Sequence, residues 1–159
     1  MTLRSRVLGV SVIGVSLAAS LPAAGQSAGR TQTLRFFDKP VSMKLTHADG
    51  TVVRSAPFPE AKAGDVLDID SVDYAGNHVL HARRWTASTH LRCVFRAGPP
   101  SCESHVAIGG SLLVFTGSPG TVSNGTGIYE RATGRVISSK EVPDGNGASD
   151  IVARIQLVG

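Results

Sequence analysis

Asn124-Gly125-Thr126-Gly127-Ile128-Tyr129-Glu130-Arg131-Ala132-Thr133-Gly134, running straight into Arg135-Val136-Ile137-Ser138, is the stretch whose reading decides the fold. A Gly-x-Gly that cradles phosphate needs a helix behind it, and either a Walker lysine or a downstream ribose-binding acid. Neither is placed here, and the residues after the glycines are strand-like rather than helical. A structural reading fits better: the small residues let the chain turn tightly under a packed Tyr129 and Ala132 before it enters the next strand. Asn124-Gly125-Thr126 is also a glycosylation sequon, but the same three residues form the turn.

Outward from this stretch, turn signals punctuate the chain at Ala48-Asp49-Gly50, Ala75-Gly76-Asn77, Gly109-Gly110, Ser118-Pro119-Gly120 and Pro143-Asp144-Gly145-Asn146-Gly147. Gly, Pro, Asn and Asp supply the backbone angles that tight turns require. Between them lie β-rich runs of strand length: Leu34–Asp38, Val41–Thr46, Thr51–Ser55, Asp65–Tyr74, Ser111–Thr116, Gly134–Val142 and Ile151–Val158. In the last run Ile151, Ala153, Ile155 and Leu157 share one face, and Val152, Arg154, Gln156 and Val158 the other. Seven or more short strands on tight turns predict a sandwich or a barrel. His78–Leu91 has two readings, a helix with Leu80, Trp85 and Leu91 on a rough stripe or a long strand. Its weak helix formers Thr86, Ser88 and Thr89 favour a long, bulged strand leading into Cys93.

At the N-terminus, Arg4 and Arg6 precede the apolar and small-residue run Val7–Ala19, which Pro22 and the small residues Ala23, Ala24 and Gly25 follow. That is the order of a secretory signal peptide. The run is well short of the roughly 20 apolar residues needed to cross a bilayer. Residues 1–25 are therefore expected to be cleaved, leaving a flexible linker at 26–31, one domain at 32–159, and a secreted or extracytoplasmic protein without stable membrane insertion. The formal charge of +4 falls to about +2 without Arg4 and Arg6. With no basic run interleaved with aromatics, nucleic acid is not an expected partner. The two cysteines, Cys93 and Cys102, flank the turn residues Gly98, Pro99 and Pro100. In an exported chain that pair reads as a structural disulfide, worth roughly 2.5–3 kcal/mol by loop closure.

Gly-Thr-Gly-x-Tyr-x-x-Ala-x-Gly entering a strand, carried here by Gly125, Thr126, Gly127, Tyr129, Ala132 and Gly134, resembles the signature of the allene oxide cyclase and dirigent protein superfamily. Other features fall in the order of its bacterial, exported barrel-like members. Gly64-Asp65 opens a strand, Asp73-Tyr74 with Gly76 ends it, the two cysteines follow, and Gly109-Gly110 precedes a strand ending at Gly117. Asn124 stands where members usually have glycine, and asparagine is the next most tolerant residue of left-handed backbone. The resemblance implies an eight-stranded antiparallel, calycin-like β-barrel with an apolar cavity open at one end, often assembled as a homodimer or homotrimer. Plant allene oxide cyclases close a ring in a fatty-acid epoxide, dirigent proteins orient phenoxy radicals made by a separate oxidase, and some bacterial relatives are cyclases. The segments that supply catalytic residues in the plant proteins do not align here, so no catalytic residue carries over.

Candidate binding residues come from strand alternation. In Asp65–Asp73, Asp68 and Asp70 share a face with Val72, while Asp73 shares the other with Leu67 and Ile69. Two close carboxylates share a proton and do acid–base work, or they simply face solvent. Alternation likewise sets His81, Arg83 and Trp85 on one face. There a guanidinium and an indole hold an anionic or aromatic ligand, or an exposed arginine covers a packed tryptophan. His78 and His81 point to opposite faces of a strand, and His90 and His105 lie far from both in sequence, so neither a metal nor a cofactor is expected. The expected partner is a small hydrophobic or phenolic molecule, bound or oriented in the dirigent manner. Two alternatives stay open: an isomerase or cyclase of the allene oxide cyclase type acting in the cavity, and a non-catalytic structural or interaction module.

Overall fold

Nine strands follow one another in the computed structural model, which describes residues 29–54, 58–143 and 146–158; the expected signal peptide lies outside them. They are β1 (Thr31–Thr46), β2 (Val52–Val53), β3 (Val66–Ala75), β4 (Ala87–Val94), β5 (Ser101–Ile108), β6 (Ser111–Thr116), β7 (Thr121–Gly125), β8 (Thr133–Glu141) and β9 (Ser149–Gln156). Among the described residues one 3-10 turn spans Gly127–Tyr129. Each strand from β3 to β9 pairs antiparallel with the next, and β1 pairs with both β3 and β9. The result is the expected closed eight-stranded antiparallel barrel, and closure removes the exposed edges that an open sheet must protect. The two-residue β2 adds only a short flap on the far end of β1.

Alternation sends one face of each strand into the lumen. Leu34 from β1, Ala87 from β4, Val106 from β5, Leu113 and Phe115 from β6, and Ala153 and Ile155 from β9 meet there as one buried core. Tyr129 and Ala132 join them from the segment after β7. The glycine motif makes this possible. Gly127 sits at φ 60, where any side chain would collide with Ser111, and a Cβ on Gly125 would strike the backbone carbonyl of Tyr129. Thr126 accepts the Leu112 amide at 3.1 Å, tying the turn to β6. Asn124 lies in β7 at no left-handed angle, its Oδ1 accepting the amide of Gly125 at 2.8 Å.

Several elements differ from the sequence reading. Leu34–Asp38 and Val41–Thr46 are one continuous strand, β1, because the break at Pro40 is a bulge in which Val41 is the extra residue. The bulge lies just past Asp38↔Ser149, the last β1–β9 pair, and a strand tolerates a residue without an N–H at such a position. Ser101–Ile108 and Thr121–Gly125 are strands that the turn signals did not single out. His78–Leu91 is not one strand. After Ala75 the chain folds into a small hairpin, with Ala82 N–H donating to Ala75 O at 2.8 Å and Asn77 N–H to Leu80 O at 3.0 Å. The Asn77 side chain accepts the amides of Val79 and Leu80 at 3.0 and 2.8 Å, an Asx turn that ends β3 locally, and β4 starts only at Ala87. Cys93 and Cys102 face each other across β4 and β5 and form the expected disulfide.

Candidate functional site: a carboxyl pair in the barrel lumen

Asp38 on β1 and Asp73 on β3 are directly opposed in register, on the face that carries Leu34 and Phe36 inward. Directly opposed side chains of a strand pair sit about 5 Å apart at Cβ, a position where two like charges are unfavourable. Both residues are buried, Asp38 at 8% and Asp73 at 1% exposure. Ser71 Oγ donates to Asp38 Oδ1 at 3.3 Å, and Thr89 Oγ1 donates to Asp73 Oδ2 at 2.6 Å. Burial pushes Asp38 up to about 7, helped by the hydrogen bond to Asp73 and by that residue's negative charge, while Ser71 pulls it down. Asp73 is also raised by burial, with the Thr89 and Asp38 hydrogen bonds opposing. Two carboxyls so placed, both raised by burial, share a proton and titrate as a pair. An acid beside a carboxylate in a low-dielectric site can both donate and accept a proton near neutral pH.

Beyond Asp38, β1 continues without β9, since Ser149 is the first residue of that strand. Along this length a cleft of about 420 Å³ opens, lined by Pro40, Val41, Met43, Arg54, Phe58 and Gly147 among others. Pro40 and Met43 pair in register with Ser71 and Ile69, on the lumen side that carries the acids. The loop after β1 is held by Asp65, which accepts the amides of Lys62 and Ala48 at 2.8 and 3.1 Å and faces His47 at 3.0 Å. These bonds, that of Lys62 foremost, keep the Asp65 carboxyl below its usual range.

No family model matches the chain, and no curated protein matches it in sequence. Solved structures do match in shape. The structure of a pterocarpan synthase dirigent protein superposes with a TM-score of 0.58 at 14% identity, covering 81% of this chain and 90% of that one. The chain has the fold of a dirigent barrel. A pyocyanin demethylase superposes with a TM-score of 0.55, also at 14% identity, covering 79% of this chain and 99% of that one.

In this dirigent-like barrel the residues singled out from sequence do not converge. Asp68 and Asp70 lie outside, on the face opposite Asp73, as alternation requires. Lys44 Nζ sits 2.9 Å from Asp68, Arg92 is 3.5 Å from it, and His90 Nδ1 is 2.8 Å from Asp70. They line a separate polar cleft of about 240 Å³ on the outer wall. His81, Arg83 and Trp85 are not on a strand face, because the Asn77 turn places them in the β3–β4 connection. His81 stacks outside the barrel on Phe37 and Tyr74, with ring centroids 5.2 and 5.1 Å away, and Arg83 and Trp85 are exposed. Sequence reasoning set Asp73 apart from Asp68 and Asp70 but missed its partner. The one signal for Asp38 was an acid on the alternating face that carries Leu34 and Phe36.

Proposed function

We propose that the barrel binds a small hydrophobic or phenolic molecule at the cleft beside β1, and that the Asp38–Asp73 pair hydrogen-bonds the ligand's hydroxyl or carbonyl. The observation that carries this reading is the pair itself. Two opposed buried acids weaken the fold at neutral pH, which points to a role beyond packing. The solved neighbours, by their names a pterocarpan synthase and a pyocyanin demethylase, support a barrel of this shape as a site for small molecules. One feature favours catalysis over simple orientation: a proton shared near neutral pH is what an isomerase or cyclase needs for acid–base transfer. The disulfide and the N-terminal sequence pattern support export from the cytoplasm.

The test is a panel of phenols and unsaturated fatty acids titrated into wild type, Asp38→Asn and Asp73→Asn, with product analysis alongside. Binding that weakens about tenfold or more in Asp73→Asn, where the carboxylate is lost, is expected. Turnover lost in both variants while Asp38→Asn still binds assigns an isomerase. Equal binding by all three proteins removes the pair from the site.

A further inference from the structure

The hairpin between β3 and β4 presents large apolar side chains to solvent from a clamped backbone. Val79 is 80% exposed, Leu80 79% and Trp85 59%, three within seven residues. Disorder does not account for this. His78 donates its amide to Asp150 on β9 at 2.7 Å and places its ring nitrogen 2.6 Å from the same carboxylate. The Asn77 side chain holds the amides of Val79 and Leu80, and His81 is stacked against Phe37 and Tyr74. Between these apolar residues stand Arg83 and Arg84, both exposed and neither in an ion pair among the described residues. The connection from Gly76 to Thr86 contains no acid, and the nearby Asp150 is already taken by His78.

We propose that this hairpin docks the folded barrel peripherally on an anionic lipid surface. Val79, Leu80 and Trp85 enter the headgroup boundary, and Arg83 and Arg84 meet the lipid charges. Tryptophan and arginine favour this boundary because each has an apolar body and a polar tip that stays wet. Cations beside the inserted residues add attraction to anionic headgroups. A second copy of the chain fits less well. Three side chains offer on the order of 350 Å² of apolar surface, against about 800 Å² per partner in a stable interface. A bilayer needs no matched shape.

Trp85 is the only tryptophan, so its emission reports the hairpin directly. The secreted protein, its N-terminus checked by mass spectrometry, is mixed with phosphatidylglycerol or phosphatidylcholine vesicles at low ionic strength. Co-sedimentation with the anionic vesicles and a blue shift of Trp85 are expected. Val79→Asp/Leu80→Asp should lower that partition about tenfold or more, and Arg83→Gln/Arg84→Gln should erase the preference for anionic lipid. All these sites are on the surface, and far-UV circular dichroism confirms that the variants fold. Absence of binding to anionic vesicles, or binding unchanged in Val79→Asp/Leu80→Asp, overturns the proposal. So does a concentration-dependent dimer that this variant breaks, which would mark the hairpin as an interface between copies.

Discussion

Asp38→Asn should make the barrel more stable at neutral and alkaline pH, and the reason is the position of the shared proton. In the folded state burial and Asp73 raise Asp38 from 3.8 to about 7, while in the unfolded chain it keeps its ordinary value. Because the folded value is the higher one, the folded state keeps a proton that the unfolded state has lost. The contribution is therefore fully present below about pH 4, declines as pH rises, and is gone above about pH 7. The gap of roughly 3 pH units corresponds to at most about 4 kcal/mol, an upper limit because the ionised pair relaxes toward water. An asparagine at this position donates to Asp73 and accepts from Ser71, as the protonated acid does, but cannot ionise. Thermal melts followed by circular dichroism from about pH 4 to about pH 8 should show a gain of roughly 5–10 °C at the alkaline end, little change at the acid end, and a flattened slope between. Infrared spectra of the wild type near neutral pH should carry a protonated-carboxyl band that the variant lacks. A variant no more stable than wild type near pH 8, with the same slope, would refute the shared-proton account.

Gly127→Val should destabilise the barrel by several kcal/mol, since the residue sits at φ 60 against Ser111, and a melting temperature within a degree or two of wild type would show an ordinary loop. Cys93→Ser/Cys102→Ser should lose roughly 2–3 kcal/mol, a drop of about 10 °C that reducing agent reproduces in the wild type. If reduction leaves the melt unchanged, the bridge adds nothing beyond the β4–β5 ladder that already aligns the two residues.

Faces were legible in the sequence, and insides were not. The alternation of Ile151–Val158 assigned Ala153 and Ile155 to one side correctly, because the opposite face carries Arg154 and Gln156, and both residues are buried in the core. In Asp65–Asp73 both faces carry acids and aliphatics, so alternation split Asp73 from Asp68 and Asp70 without saying which side was the lumen. Asp38 could not be named as a partner from the sequence. The two acids meet only through the β1–β3 register, which a residue-by-residue reading does not contain. The hairpin residues failed for a local reason: Asn77 uses its side chain to turn the backbone, and the counting that put His81, Arg83 and Trp85 on one face assumed an extended chain. The glycine motif succeeded because tolerance of the positive φ that Gly127 adopts is a property of the residue itself.

The bulge at Val41 works like a shift of reading frame. Before it, even-numbered residues of β1 enter the barrel, as Leu34 and Asp38 do; after it, odd-numbered ones do, as Met43 and Leu45 show by pairing with Ile69 and Leu67. A second shift on β8 sets Ile137 outside in the same way. Were Val41 kept but the bulge ironed out, so that Val41 paired with Asp70, the frame of Leu34–Asp38 would run on to Thr46 and turn Lys44 inward and Leu45 outward. The apolar wall of the cleft thus depends on the strand absorbing one extra residue at the bulge as much as on which residues come after it.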